Sequence, residues 1–287
     1  MPELPEIEIV KRSLFKMINR TKIIDIKISN KNLRYKIPHS FSEYLIGENI
    51  LKISRRSKYL IFHLKKKLLL AHLGMTGKFL IIRSKDNMMF KTSFYYDLNI
   101  LSKHNHIYFF LSNGLVLIYN DIRRFGFFKL FKTNQLNKII FLKKLGLEPF
   151  SPIFDIKYFK NFIKNKKKNI KNLLMDQTFV SGLGNIYVNE ALFKSKIYPL
   201  RTCSNLKKKE IKNLILNIKK VLKLSISKGG SSIKDFKNPL GQSGSFQQFF
   251  HVYGQENKNC SRISCKGKII KIFISNRSSY YCSKCQK

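Results

Sequence analysis

At 287 residues the chain is long enough for two compact domains with hydrophobic cores. Basic residues outnumber acidic ones 56 to 16, for a formal charge of +40, so a polyanionic partner such as nucleic acid or an anionic surface is expected. No apolar run reaches the ~18 residues of a membrane span and the N-terminus lacks a signal-peptide core, so the chain reads as cytoplasmic, with no membrane partner. The abundance of Lys, Ile, Asn and Phe with no Trp also suits a genome rich in A and T, which accounts for part of the lysine excess.

The chain opens on Met1-Pro2-Glu3-Leu4-Pro5-Glu6-Ile7-Glu8, two prolines and three carboxylates where most soluble proteins carry a disposable tail. Pro2 is small enough for Met1 to be removed, which would leave a secondary amine as the new terminus. Such an amine suits attack on a sugar C1′: an α-amino group titrates near ~8 and a lysine near ~10.4, so far more of it is unprotonated at neutral pH. The resulting iminium is an electron sink that favours elimination further along the sugar. Glu3 lies beside the amine as a proton donor, and Glu6 follows one helical turn on. Pro5 suits the first turn of a helix, and Ile7, Val10, Leu14 and Met17 continue at helical spacing. The alternative is a Pro-Glu start that only caps this helix, and these residues alone favour it.

Short apolar-alternating runs follow at Ile23 to Ser29, Ile50 to Ser54, Tyr59 to Leu64, Leu68 to Leu73 and Lys78 to Ile82. Ile107 to Leu111 and Leu115 to Tyr119 are joined by Asn113-Gly114, a strong hairpin signal, and Phe127 to Phe131 adds another strand. This pattern predicts an antiparallel sandwich or barrel over residues 1–132. The pattern loosens over 133–152, the expected hinge. Beyond it the period becomes helical at Tyr158 to Asn165, Lys171 to Gln177, Asn185 to Lys194 and Leu206 to Ser227, which Gly229-Gly230 stops. Helices are thus expected over 153–240, with a Gly/Ser/Gln/Phe segment and a cysteine-rich tail over 241–287. The fold class is α+β.

Four of the five cysteines lie in the last 28 residues, as Cys260-x4-Cys265, sixteen residues, then Cys282-x2-Cys285. Two thiolate pairs at this separation suit one tetrahedral structural zinc ion on a hairpin. Arg277 sits on the return arm, where it could meet a phosphate or sugar. Cys203 stands apart as a small packing residue. In Val180-Ser-Gly-Leu-Gly-Asn185-Ile-Tyr-Val-Asn-Glu190, Asn185 opens a helix whose N–H groups attract an anion, though simple capping is equally consistent. Lys166, Lys167, Lys168 and Lys171 lie upstream and would feed a phosphate track. Two loops, His72-Leu-Gly-Met75-Thr-Gly77 and Asp121-Ile-Arg123-Arg124-Phe125-Gly126, carry Met75, Arg123 and Phe125. These are types that wedge into a base stack when a nucleotide is extruded, and core packing is the alternative for Met75 and Phe125. Lys58 starts a strand and could point into a cleft.

In this order, the start Pro-Glu-Leu-Pro-Glu-x-Glu, the loops His-Leu-Gly-Met-x-Gly and Asp-x-Arg-Arg-Phe-Gly, the turn Gly-x-Gly-Asn-Ile-Tyr and the four-cysteine finger resemble the bacterial formamidopyrimidine-DNA glycosylase family, from Met1 to Lys287. The resemblance implies a monomeric base-excision repair enzyme with a β-sandwich, a helix-two-turn-helix domain and a zinc finger. It would excise oxidised purines such as 8-oxoguanine and formamidopyrimidines from double-stranded DNA, act on abasic sites, and cleave the strand by β,δ-elimination. By motif, Pro2 would be the Schiff-base nucleophile and Glu3 the acid that opens the sugar ring. Lys58 would assist elimination and Arg277 the second elimination. Met75, Arg123 and Phe125 would fill the gap left by the flipped base, and His104, Arg123, Lys168 and Asn185 would hold the backbone. Gly241 to Phe250 would be the lesion-capping loop. Two positions depart from the family's usual pattern: the x4 gap of the first cysteine pair, and Ile122 where proline is common. The rivals are the sister endonuclease VIII type, which prefers oxidised pyrimidines, a non-catalytic nucleic-acid-binding protein, and a membrane-surface protein.

Overall fold

A computed structural model describes residues 1–83, 85, 89–90, 101–231 and 245–287. The chain divides into two compact units, Met1–Lys143 with Lys228–Ser245 and Lys144–Ser227 with Phe246–Lys287.

The first unit begins with α1 (Leu4–Ile18), which carries Pro5 in its first turn and buries Ile7, Val10, Leu14 and Ile18 along one stripe. Then follow β1 (Ile23–Ile28), α2 (Phe41–Leu45), β2 (Lys52–Arg56), β3 (Tyr59–His63), β4 (Lys67–His72), β5 (Lys78–Arg83), β6 (Met89–Phe90), β7 (Asn105–Leu111), β8 (Leu115–Asn120) and β9 (Phe127–Lys132). They form two antiparallel sheets, ordered β1-β7-β8-β5-β6 and β2-β3-β4-β9. Alternate residues of each strand point to opposite faces. Leu60, Phe62, Leu69 and Ala71 of one sheet therefore meet Phe79, Ile81, Phe109 and Leu117 of the other in a single core with α1.

The outer faces are apolar too. Ile61, Leu68 and Leu70 pack under Leu136, Ile139, Phe141 and Leu142, where the chain makes a 3₁₀ turn and α3 (Ile140–Lys143). The first half of the stretch expected to be a hinge is thus a cover for the four-stranded sheet. Its second half joins the other unit, where Gly146 N–H donates to Gln177 O at 2.8 Å and Leu147 bridges Val180. Between β7 and β8 the chain turns through residues 112–114 with Gly114 at φ +75°, a conformation that suits glycine.

The second unit contains α4 (Ile156–Ile163), α5 (Ile170–Met175), α6 (Asn185–Ser195) and α7 (Lys208–Ser227), followed by a hairpin of β10 (Ile269–Ile274) and β11 (Arg277–Cys282). Phe159, Leu174, Phe179, Tyr187, Ile211 and Leu222 are among the residues of its helical core. The α5–α6 turn is fixed by Gln177, whose amide donates to Leu183 O and accepts from Gly182 N–H, both at 2.8 Å. Antiparallel sheets in one unit and helices with a terminal hairpin in the other make the fold α+β. No helix among the described residues is long and apolar enough to cross a membrane.

Candidate active site and nucleic-acid interface

The N-terminus leads directly into the first unit's interior. Pro2, Glu3 and Glu6 are buried at the start of α1. Burial holds the α-amino group of Met1 below its ordinary value; the Glu3 and Glu6 carboxylates oppose that shift, and the Lys58 and Arg123 cations add to it. The amine, Glu3, Glu6, Lys58 and Arg123 therefore share one electrostatic neighbourhood. Lys58 is buried in the β2–β3 turn, beside Ser57 at φ +55°. Arg55 pins that turn to α1: its guanidinium donates to Ser57 O at 2.9 Å and to Glu8 Oε2 at 3.1 Å. Burial would raise the Glu8 carboxyl, but hydrogen bonds from Lys11, Arg12 and Arg55 bring it below the usual carboxylate range.

Glu6, expected among the catalytic residues one helical turn after Glu3, has both carboxylate oxygens engaged by backbone and hydroxyl donors. Its Oε2 accepts the Glu3 N–H at 2.9 Å, and its Oε1 accepts both the N–H and the hydroxyl of Ser231 at 2.9 Å. At 1 % exposure it joins the helix start to the segment after α7. A buried carboxylate is retained only with such donors, which explains the position.

Met75 and Phe125 are 37 % and 43 % exposed, each on its own loop, and the Arg123 guanidinium lies 4.6 Å from the Phe125 ring centre. The two loops are built as one. Asp121, fully buried, accepts the Thr76 hydroxyl and the Arg123 N–H on Oδ1, and the Tyr119 hydroxyl (3.0 Å) and Gly126 N–H (2.9 Å) on Oδ2. Arg123 N–H also reaches Thr76 Oγ1 at 3.0 Å. At Gly74, φ +64°, an added Cβ would fall 2.5 Å from Phe125 C and Gly126 N, so the backbones touch where no side chain fits. His72 completes the support: Nδ1 accepts the Gly74 N–H at 3.0 Å, and the ring stacks on Phe127 with centres 5.5 Å apart. Burial, aided by Lys58 and Arg34 and opposed by Asp121, lowers the His72 pKa to about 4. His104 is half-buried, and its carbonyl accepts the Asp121 N–H at 3.1 Å. Ile122 is exposed at the loop apex. The sequence motifs contained His72 and Asp121, but nothing in them marked these two as the supports.

In the second unit, α6 opens at Asn185, whose amide donates to Ser278 O at 2.8 Å. Asn189, one turn on, accepts the Tyr280 N–H at 2.8 Å. The hairpin turns through Ser275 and Asn276, both left-handed at φ +47° and +58°, and carries exposed Arg277 at the start of β11. Lys171 departs from the expected phosphate track. It is 1 % exposed, its ammonium donates to Ser278 O and the Ser279 hydroxyl, and burial with nearby Arg277 lowers its pKa to about 8. Lys168 is exposed and paired with Asp176 at 2.9 Å. Of the expected capping loop, residues 241–244 lie outside the described residues; Phe246 is buried in the helical core.

The four tail thiols converge, with all Sγ atoms within 4.8 Å of one another. Cys265 and Cys282 are 3.5 Å apart and Cys260 and Cys285 3.9 Å apart. These separations exclude disulfides of ~2.05 Å and match the about 3.8 Å between sulfurs around a tetrahedral metal at ~2.3 Å. The four cysteines can therefore hold a metal ion. A Cβ at Gly267 would fall 2.7 Å from Cys282 Sγ, so a glycine is what fits against that sulfur. Glu190, buried on α6, accepts the N–H groups of His251, Val252 and Tyr253 within 3.1 Å and so holds the strand of chain entering the cysteine cluster. Burial raises its carboxyl, against those N–H donors. Glu190 was visible in sequence only as an acid inside an apolar helix.

Comparison with known proteins gives one consistent result. A family model described as formamidopyrimidine-DNA glycosylase N-terminal domain matches residues 1–128, and one described as formamidopyrimidine-DNA glycosylase H2TH domain matches residues 145–237. The chain is 43% identical to a formamidopyrimidine-DNA glycosylase of Bartonella tribocorum over 298 residues, spanning 100% of both chains. It is 42% identical to that of Rickettsia conorii over 287 residues, spanning 100% of this chain and 99% of the relative. A solved complex of Lactococcus lactis Fpg with abasic-site DNA superposes with a TM-score of 0.85 at 36% identity, covering 99% of each chain. A complex of a variant of that protein with Fapy-dG DNA matches with the same score and identity over 100% of each chain.

Proposed function

This chain belongs to the formamidopyrimidine-DNA glycosylase family, DNA repair glycosylases acting on damaged bases, and from that premise we propose that it excises oxidised purines from duplex DNA and cleaves the strand at the abasic site. The observation that carries this reading is the placement of Pro2 and Glu3, buried at the start of α1, with buried Lys58 and with Arg123 acting on the amino group that precedes Pro2. Loss of Met1 makes Pro2 the terminal secondary amine. Its nitrogen bonds to C1′ as the C1′–base bond breaks, and Glu3 delivers a proton as the sugar ring opens. The resulting iminium withdraws electrons, so a proton leaves C2′ and the 3′ phosphate departs. Lys58 assists that step, and to Arg277 we assign the second elimination.

Met75, Arg123 and Phe125, projecting together, fill the place of the extruded nucleotide. Arg123, His104, Lys168 and Asn185 are assigned to the backbone, each through its own unit. Lys171 is better read as a support for the hairpin that carries Arg277. The four cysteines fit one zinc ion, which would brace that hairpin. The Lactococcus lactis relatives were crystallised with abasic-site, Fapy-dG and oxidised-pyrimidine DNA. We infer the same class of partner here, with purine preference the finer claim.

The test is borohydride trapping on a duplex with 8-oxoguanine opposite cytosine, beside intact and oxidised-pyrimidine duplexes. An adduct mapped to an N-terminal Pro2 and strongest on the purine lesion is expected. Pro2→Gly should bind the duplex yet nick it at least ~10²-fold more slowly. Wild-type nicking by that variant refutes Pro2 as nucleophile, and strongest trapping on the pyrimidine lesion moves the specificity to the sister class.

A further inference from the structure

Between α4 and α7 of the second unit lies an open groove of about 670 Å³ whose residues take no part in the assembly around Asn185, Lys171 and the hairpin. Its floor is apolar: Phe154, Ile215 and Leu216, the last 47 % exposed in the middle of a 20-residue helix. Its walls are cationic. Lys157 and Lys160 line it from α4, and Lys208, Lys212 and Lys219 from α7. Positions 208, 212, 216 and 219 follow the helical spacing that keeps side chains on one stripe, so the α7 lysines and Leu216 face the groove together.

Among the described residues none of these five lysines makes an ion pair, whereas Lys168 and Arg201 of the same unit are each paired with a carboxylate. The acid in the lining, Asp155, accepts the Tyr158 N–H at 2.7 Å as the N-cap of α4. On a chain of charge +40, isolated solvated lysines need no explanation. Here, however, five cations line one concavity with an apolar floor, four of them exposed and Lys219 half-buried 6.0 Å from the Phe154 ring centre, a shape that concentrates positive potential.

We propose that this groove docks an acidic segment of a partner protein that carries an apolar anchor residue. Carboxylates of the segment meet the lysine walls, and the anchor covers Leu216 and Ile215. A nucleic-acid strand is the poorer match, because the groove has no arginine fork for phosphate and no exposed ring for base stacking, Phe154 being buried. The inference is independent of the glycosylase reading, since no residue assigned to DNA lines the groove.

The experiment is fluorescence anisotropy on the full zinc-loaded chain with three labelled probes: a glutamate peptide containing two leucines, the same peptide with alanines in their place, and a single-stranded oligonucleotide. The leucine peptide should bind and the alanine peptide bind several-fold more weakly. Leu216→Asp and the pair Lys160→Glu/Lys212→Glu should each weaken leucine-peptide binding about tenfold. Both variants should melt like wild type and nick a lesion duplex at the wild-type rate. Equal binding of the two peptides, or no effect of the charge reversal, reduces the signal to general attraction and overturns the proposal. A parallel loss of oligonucleotide binding or of nicking also overturns it and makes the groove part of the nucleic-acid track.

Discussion

At His72 one ring nitrogen fixes the turn that carries Met75, and it can accept the Gly74 N–H only while unprotonated. The folded-state pKa of about 4 lies below the ordinary 6.5, so the unfolded chain takes up this proton at the higher pH. The contribution of neutral His72 is therefore fully present above pH ~6.5 and is lost as pH falls toward 4, by about 2–3 kcal/mol at pH ~4.5. Urea unfolding at pH 7 and pH 4.5 should show wild type losing that much more stability than His72→Gln, and equal losses would remove the linkage. Met75, Arg123 and Phe125 were legible in sequence because glycines and cations marked their loops. Asp121 was not, because its importance comes from joining a donor 45 residues away, Thr76, to the near neighbours Tyr119, Arg123 and Gly126. Lys171 was misplaced because a lysine in a charged stretch reads as solvated, and its burial depends on a partner as remote as Ser279; the bond from Ser231 to Glu6, across 225 residues, was equally out of reach of local sequence.

Among the elements, α6 does the most with the fewest residues. Asn185 and Asn189 hold β11, and Glu190 holds the turn that enters the cysteine cluster. If the thiols carry zinc as proposed, Cys282→Ser should lose the metal, read by elemental analysis, and weaken lesion-duplex binding about tenfold or more; unchanged affinity in metal-free protein would show the hairpin to be dispensable. Eight of the nine described strands of the first unit were legible, the two-residue β6 was not, and their ends were blurred. Because both faces of each sheet are apolar, the two-residue alternation is blurred. Ile50 illustrates this: it exchanges backbone bonds with Arg20 and Thr21 ahead of the strand that begins at Lys52. The covering turns of residues 133–143 and the five-residue α2 are too short to show a helical period.

On the scale of the whole molecule, composition identified a polyanion as partner but not which cations would meet it. Binding of a lesion duplex should fall about 10²–10³-fold between ~50 and ~200 mM salt, the slope of log affinity against log salt reporting the phosphates contacted. A nearly flat slope would mean that most of the +40 charge lies off the interface. The change to a helical period was placed beyond residue 152, whereas the two units divide after Lys143 and the first takes back Lys228–Ser245, a return of the chain that no local pattern marks.

The missing Cβ at Gly74 and the shared carboxylate of Asp121 make the two projecting loops a single mechanical unit. A side chain at position 74 would enter the space that Phe125 and Gly126 already fill, so a change there has to be met by a change in the facing loop. The two loops are thereby tied across 45 residues of sequence, from Thr76 to Asp121, and Gly74→Ala would move the second loop as well as the first.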